Sequence, residues 1–251
     1  MAYHFGKFAW FEHVSGDTAK ARQFYEQLFG WKVKTFAPGS YDVIHNGEDF
    51  IGGIVPAEGG DAAHWRSWMS VPDVDARHAA AIAAGAKPVM APRDYPGIGR
   101  GATLLDPTGA RVSIWKGATG DRPDNDSVKN GDFDWNELAT PDPQRALAFY
   151  EGVFGYSHED WDMGDAGKYH VLKDAAGRMR GGVMKTPHEG APALWVPYVK
   201  VEKADEIAAR VGPLGGDLLL KPMDVKEVGR IAILSDPSGA ALGFITPVVK
   251  A

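Results

Sequence analysis

The apolar positions near the start of the chain follow first a strand pattern and then the period of a helix. The short run 7–13 predicts a strand. Four apolar residues then recur at helical spacing: Ala21, Phe24, Tyr25 and Leu28. Asp17 can accept hydrogen bonds from the first helical turn, and Gly30 suits the left-handed position that ends a helix. The pattern predicts a strand followed by a capped helix.

The same order of polar and apolar positions returns in the second half. A strand is predicted over 132–139, and Asp142 is placed to cap the helix that follows. Pro143 suits the first helical position, where its missing N–H costs no hydrogen bond, and Gly155 ends the helix. The buried face of this helix is predicted from four residues: Ala146, Phe149, Tyr150 and Val153.

Short strand-like runs follow each helix, and the pattern then restarts within each half. In the first half, 65–71 predicts a strand and 73–84 a helix. Residues 106–109, Asp-Pro-Thr-Gly, have the composition of a type I turn before a last strand, and 236–239 repeat it. The sequence therefore predicts an α+β fold of four βαβββ modules.

Many residues of the first half recur in the second half at a nearly fixed displacement. Nine residues between Trp10 and Gly30 recur 125 positions later (135 − 10), and nine between Pro92 and Ala110 recur 130 positions later (222 − 92). So long a period indicates tandem duplication of a whole domain, because stacked repeats are roughly 20 to 50 residues long. The polar segment 118–130 lacks periodicity. We predict domains over 1–117 and 131–251, joined by a linker over 118–130.

Composition narrows the classes of partner. The chain has 251 residues, a net charge of −6 and no cysteine, which excludes disulfides and thiolate chemistry. It has no basic cluster to bind nucleic acid or anionic lipid, and no apolar run of the length that spans a membrane. We expect a soluble, cytoplasmic protein with neither nucleic-acid nor membrane partners. Its eight tryptophans are expected to fill cores or line a pocket.

Segments after the capped helices and before the last strand of each domain resemble the vicinal oxygen chelate superfamily. The segments are FYEQLFGW, FYEGVFGY, DPTGA and DPSGA, and the resemblance covers nearly the whole chain. PRDYPGIGR and PMDVKEVGR are similar to two-domain members labelled glyoxalase-like proteins or hydroxylases. The superfamily includes glyoxalase I, bleomycin resistance proteins and extradiol dioxygenases. The resemblance implies two tandem domains, each a cupped mixed sheet made by two modules.

In that superfamily a divalent metal is held in the cup by His, Gln or Glu side chains. Here the corresponding positions carry residues unsuited to a cation: Trp10, Arg66 and Ser113 in the first domain, and Trp135, Val196 and Gly243 in the second. The one tempting short spacing elsewhere, Glu12-His13, places its side chains on opposite strand faces. We therefore expect no bound metal and no cofactor.

Strand alternation, taken with the resemblance, predicts which side chains line the cups. The predicted ligand-binding residues are Trp10, Arg66, Trp68, Ser113 and Trp115 in the first cup, and Trp135, Val196 and Tyr198 in the second. The planar guanidinium of Arg66 is expected to favour an anionic ligand in the first cup. The second cup, which has Val196 at that position, is expected to prefer a neutral, apolar ligand.

Glu12 and Glu137 are the candidate catalytic residues, since a carboxylate desolvated in an aromatic pocket becomes a stronger base unless a cation offsets it. Alternatively, each glutamate forms a structural ion pair. The possible ion pairs are Glu12 with Arg66 or Arg100, and Glu137 with Arg230. Both interpretations stay open from the sequence.

Three functions are compatible with the sequence. The first is binding of a small, partly aromatic molecule in the Trp-lined cups without chemistry, as in bleomycin resistance relatives. The second is a metal-independent isomerase, lyase or hydroxylase-like enzyme that uses Glu12 or Glu137 as acid or base. The third, a metal-dependent glyoxalase or dioxygenase, is disfavoured by the missing ligands. A small-molecule partner is expected in each case, and a homodimer is an open alternative to a monomer.

Overall fold

A computed structural model describes residues 2–37, 39, 41–124, 127–164 and 167–248, and these contain sixteen strands and four α-helices. The first half comprises β1 (Phe8–Ser15), α1 (Thr18–Phe29), β2 (Lys32–Ala37), β3 (Tyr41–Asn46), β4 (Asp49–Pro56), β5 (His64–Ser70), α2 (Val74–Ala83), β6 (Lys87–Tyr95), β7 (Gly99–Leu105) and β8 (Arg111–Gly117). The second half comprises β9 (Phe133–Thr140), α3 (Pro143–Phe154), β10 (Ser157–Asp162), β11 (Lys168–Lys173), β12 (Met179–Lys185), β13 (Leu194–Lys200), α4 (Ala204–Val211), β14 (Asp217–Val225), β15 (Gly229–Ser235) and β16 (Ala241–Pro247). The predicted α+β class and its four βαβββ modules are confirmed.

The strands form two eight-stranded mixed sheets, one from each half. Their orders are β2-β3-β4-β1-β5-β8-β7-β6 and β10-β11-β12-β9-β13-β16-β15-β14. Within each module the first and fourth strands are parallel neighbours, as β1 and β4 are, with Glu12 opposite Gly53. The second, third and fourth strands run antiparallel to one another.

The helices begin and end where the capping residues predict. The Asp17 carboxylate accepts a hydrogen bond from the Lys20 N–H, and Gly30 ends α1 in the left-handed conformation with φ of 74°. Asp142 and Gly155 repeat both features around α3, with Pro143 as the first helical residue. Local side-chain chemistry therefore sets the bounds of these two helices.

The chain packs as two compact units, and each unit combines segments from both halves. The first unit comprises Met1–Trp10, Ser67–Asn125 and Asn136–Trp195, and in it α2 packs against α3. Its core draws on β5, β7 and β8 as well as on β9, α3 and β13. Representative buried residues are Met69, Leu104, Ile114, Leu138, Tyr150 and Trp195.

The second unit comprises Phe11–Arg66, Asp126–Trp135 and Val196–Ala251, and in it α1 packs against α4. Its buried core includes Phe24, Tyr25, Leu28, Val199, Leu234 and Phe244. Residues 125 and 126 of the predicted linker lie outside the described residues. Among the helices of the described chain, none combines the length and the apolar character needed to cross a bilayer.

Candidate functional site

Glu12 lies on β1 in the second unit and is only 7% exposed. Arg66 donates to its Oε2 from both Nε and Nη2, at 3.0 and 2.6 Å. Tyr41 donates from its hydroxyl to the other carboxylate oxygen, Oε1, at 2.9 Å. Both oxygens of Glu12 therefore have donors, and the arginine balances the negative charge that burial would otherwise disfavour.

Tyr41 was not predicted from the sequence. Its ring crosses β4 at Gly53, where an added Cβ would lie 2.5 Å from the Tyr41 hydroxyl oxygen. The glycine thus permits the close approach that brings the hydroxyl to Glu12. Gly182 and Tyr169 repeat this close approach of a tyrosine ring to a glycine in the first unit. Glycine at both positions permits the close packing, but the sequence did not identify the ring that lies there.

The other arginines considered as partners of the glutamates are bonded elsewhere. Arg100 donates to Asp75 at 2.7 Å and to Asp94 at 2.8 Å. Arg230 makes the matching contacts with Asp205 and Asp224. These exposed pairs join a helix to the outer strands of its own module, so Arg100 and Arg230 do not pair with Glu12 and Glu137.

An aromatic cluster in the first unit is formed by Trp68 on β5, Tyr95 on β6 and Trp115 on β8. The ring centroids of Trp68 and Trp115 are 5.6 Å apart, and that of Tyr95 lies 6.4 and 5.4 Å from them, all in edge-to-face contact. Gly101 on β7 leaves room for the two indoles, since a Cβ there would lie 2.7 Å from Trp68 and 2.9 Å from Trp115. Tyr95 was not predicted from the sequence as a member of this site.

The aromatic cluster lies on the opposite face of its strands from the core. Met69 and Ile114, which are next to Trp68 and Trp115 in sequence, belong to the core of the first unit. Trp68 is 3% exposed, whereas Tyr95 and Trp115 are half-buried. The indoles therefore lie on the sheet face opposite the core of the first unit, where Trp68 is buried and Trp115 is half-buried.

Ser113, another predicted ligand-binding residue, lies on β8 opposite Trp68. Its hydroxyl forms a 2.8 Å hydrogen bond with the Thr103 hydroxyl, and both residues are 1% exposed. Ser113 is thus a buried residue of the sheet beneath the aromatic cluster.

The remaining predicted site residues lie on β1, β9 and β13: Trp10, Trp135, Glu137, Val196 and Tyr198. Trp135 and Glu137 are half-buried and alternate with buried Asn136 and Leu138 on β9. Trp10 and Glu137 belong to the first unit, and the other three to the second. The structure therefore divides these five residues between the two units.

The residues at the superfamily's metal-ligand positions do not fit a divalent cation. Arg66 places a guanidinium there, and Ser113 uses its hydroxyl on Thr103. Gly243 has no side chain, and the Tyr198 ring lies so close that a Cβ would be 2.4 Å from it. None of these positions offers an imidazole or a carboxylate, so no chemistry is assigned to a metal there.

A buried hydrogen-bonded network in the second unit was also missed by sequence reasoning. Asp236 accepts from the Tyr25 hydroxyl at 3.0 Å and is 2.6 Å from His13 Nε2, while Trp65 Nε1 donates to the Tyr25 oxygen at 2.8 Å. Burial, followed by the Asp236 charge, raises the pKa of Tyr25 well above its ordinary value, so this phenol is neutral. All four side chains are buried, and the network supports the core.

We expect Arg66→Val to lower the free energy of unfolding by about 1 to 3 kcal/mol, because Glu12 would lose its cation while remaining buried. Chemical denaturation measures this, with Arg22→Ala, a partly exposed helix arginine, as a control expected to change stability by about 0.5 kcal/mol or less. Adding Glu12→Gln to Arg66→Val should recover part of the loss. Unchanged stability in Arg66→Val would contradict a structural role for the pair.

The family model of the Glyoxalase/Bleomycin resistance protein/Dioxygenase superfamily matches residues 7–114. A protein of Mycobacterium tuberculosis (strain CDC 1551 / Oshkosh) named "Putative glyoxylase CFP32" is 35% identical over 256 residues, which cover 98% of this chain and 96% of the relative. "Anthracycline biosynthesis protein DnrV" of Streptomyces peucetius is 27% identical, over 94% of this chain and 92% of the relative.

Solved structures share the fold at low sequence identity. The Mn(II)-bound glyoxalase from Novosphingobium aromaticivorans has a TM-score of 0.67 at 18% identity, covering 96% of this chain and 82% of its own. The halotolerant catechol dioxygenase BphC has a TM-score of 0.66 at 14% identity, covering 98% of this chain and 88% of its own. The tandem cupped-sheet architecture is therefore shared with both.

Proposed function

Because the chain belongs to the glyoxalase/bleomycin resistance protein/dioxygenase superfamily, we propose that it binds a small, partly aromatic molecule on the aromatic cluster of Trp68, Tyr95 and Trp115. Binding on this cluster requires no metal. The observation that carries the proposal is the placement of these rings on the strand face turned away from the core, over Gly101. None of the three rings belongs to the hydrophobic core cluster of the first unit.

The chemistry of the cluster favours a flat ligand. Aromatic rings stack or meet edge to face with a planar molecule, which adds about 0.5 to 1.5 kcal/mol to the free energy of binding beyond area burial. Arg93 lies beside the cluster, with its guanidinium carbon 4.9 Å from the Tyr95 ring centroid and its Nε donating to the Tyr95 hydroxyl at 2.8 Å. This cation can orient a ligand oxygen or carboxylate at the edge of the cluster. Arg66, predicted for that role, is bonded to Glu12.

The name of one relative, an anthracycline biosynthesis protein, supports this ligand class. Anthracyclines, named in the Streptomyces relative, are polycyclic aromatic compounds of the shape that the cluster would accept. The proposed binding role uses Glu12 only as the structural partner of Arg66 and Tyr41.

Acid–base catalysis by Glu137 is the second candidate function. The repeat position of Arg66 in the second half is Val196, a side chain that cannot donate a hydrogen bond. Val196 therefore cannot contribute the guanidinium that Arg66 contributes to Glu12. In this alternative, Glu137 would remove a proton next to a carbonyl group of the bound molecule.

Titration calorimetry with an anthracycline tests the proposed function. We expect binding by the full chain, and we expect Trp115→Leu to weaken it by about 2- to 13-fold, the equivalent of the aromatic contribution. Phe36→Leu is the matched control, because Phe36 is a 70% exposed ring outside the cluster. Equal affinity in Trp115→Leu and the unmodified chain would overturn the proposed site. Chemical conversion of the ligand that is lost in Glu137→Gln would favour the enzyme.

A further inference from the structure

Three potential metal ligands converge on β10 and β11, the two strands at one edge of the second sheet. His158 and Asp160 are two residues apart on β10 and share a face, and Asp160 lies directly opposite His170 on β11. His158 Nε2 is 3.4 Å from Asp160 Oδ1, and His170 Nδ1 is 2.6 Å from the same oxygen. One donor atom from each side chain lies within 4.8 Å of the other two.

These separations suit a tetrahedral ion. Ligand atoms that each lie about 2.0 to 2.1 Å from a Zn²⁺ ion are about 3.3 to 3.4 Å apart, which matches the distance from His158 to Asp160. The shorter distance, 2.6 Å between His170 Nδ1 and Asp160 Oδ1, reflects a hydrogen bond that a bound ion would replace. Two imidazoles and one carboxylate are donors that zinc and its first-row neighbours accept, whereas magnesium and calcium prefer oxygen alone.

Burial and neighbouring groups orient the three side chains. His170 is 3% exposed, so its ring is held by packing, while His158 and Asp160 face solvent and leave an approach for an ion and a water ligand. Glu151 on α3 lies 2.5 Å from His158 Nδ1, a carboxylate contact that directs the opposite nitrogen, Nε2, towards Asp160. Lys168 donates to Asp160 Oδ2 at 2.9 Å. This carboxylate oxygen is not the one that contacts the two histidines.

The fold does not require these residues. At the matching places of the first half, β2 carries Val33 and Thr35, and Asp42 lies opposite Thr35 on β3. Val33 is a core residue there, and the same strands pair without an imidazole at any of these three places. The cluster therefore belongs to the second half alone and is additional to what strand pairing needs.

The cluster is also different from the superfamily's metal position, which maps to Trp135, Val196 and Gly243 on the first strands of the modules and on the last strand of the domain. Leu172, opposite His158 in the strand register, belongs to the core of the first unit. His158, Asp160 and His170 thus share the face of the strands on which α3 packs, as the contact with Glu151 shows.

We propose that His158, Asp160 and His170 bind one divalent first-row transition-metal ion of the zinc class. This proposal revises the expectation from the sequence that the chain holds no metal. That expectation was based on the cup positions and on short spacings along the chain. The ion would join the β10–β11 edge to α3 through Glu151. The site shares no residue with the aromatic cluster.

Titration calorimetry of the chelator-treated full chain with zinc chloride tests the proposal. We expect one ion per chain, and we expect His158→Gln and Asp160→Asn each to weaken binding at least tenfold. Both positions are partly exposed, so these variants should fold, and circular dichroism checks that they do. His188→Gln, an exposed histidine outside the cluster, is the matched control and should bind as the unmodified chain does.

Two further results decide the proposal. Magnesium chloride should give no binding at the concentration at which zinc saturates, and nuclear magnetic resonance should show zinc-dependent shifts of the His158 and His170 ring signals. Zinc binding that persists at full strength in Asp160→Asn and His158→Gln, or the absence of binding by the unmodified chain, would overturn it.

Discussion

Residues 1–117 expressed alone are expected not to form a stable monomer. In the first unit the core side chains of β5, β7 and β8 pack with those of β9, α3 and β13, which the shortened chain lacks. Met69, Leu104 and Ile114, each fully buried in the whole chain, would lose their partners. Exposed apolar surface of this extent drives association, so sedimentation should show dimers or aggregates.

Co-expression provides the control for this result. Residues 1–117 and 118–251 produced together should assemble into a soluble complex of one copy each, because every core contact is then available. A soluble monomer of residues 1–117 with the melting temperature of the full chain would contradict the importance of the mixed cores. The covalent bond between residues 117 and 118 is not required for the packing in this expectation.

Asp236→Ala is expected to lower the free energy of unfolding by about 3 to 5 kcal/mol, the range for removing one partner of a buried ionic contact. The substitution would leave the Tyr25 hydroxyl and His13 without their acceptor, together with the backbone N–H groups of Ser238 and Ala240. Chemical denaturation with fluorescence detection measures the change.

Asp106→Ala is the matched control for Asp236→Ala. Asp106 accepts from the Tyr150 hydroxyl at 2.9 Å and from the Ala110 N–H at 3.0 Å, as Asp236 does from Tyr25 and Ala240. The repeat position of His13 is Leu138, so Asp106 lacks the imidazole contact. We therefore expect a smaller loss from Asp106→Ala. A larger loss there would show that His13 does not strengthen the network.

The same network predicts a dependence of stability on pH. Burial alone would raise the pKa of Asp236, but the hydrogen bond and charge of His13, with backbone N–H donors, outweigh it and lower the pKa. A lowered pKa in the folded state means that the stabilisation is present above the unfolded value of about 3.9 and is lost as the pH falls further. Asp236→Asn should therefore lose less stability than the unmodified chain between pH 7 and about pH 3, as urea denaturation at both values would show.

Local patterns predicted the elements and their caps correctly. The Asp17 and Gly30 signals need only neighbouring backbone atoms, which is why α1 begins and ends where they indicate. The sequence predicted the partners of long-range contacts much less well. Arg66, Arg100 and Arg230 were all plausible ion-pair residues, but only the fold shows that Arg66 contacts Glu12 and that the other two contact aspartates.

By itself the sequence determined the modules, their duplication and the superfamily, because periodicity, turn residues and repeated motifs are properties of adjacent positions. The tertiary structure alone decided how segments of the two halves share cores, and that Tyr41, 29 residues from Glu12, reaches its carboxylate. It also decided that Tyr95 joins the tryptophans and that His158 meets His170. The physical reason is that strand register and packing bring together side chains whose spacing along the chain carries no signal of their contact.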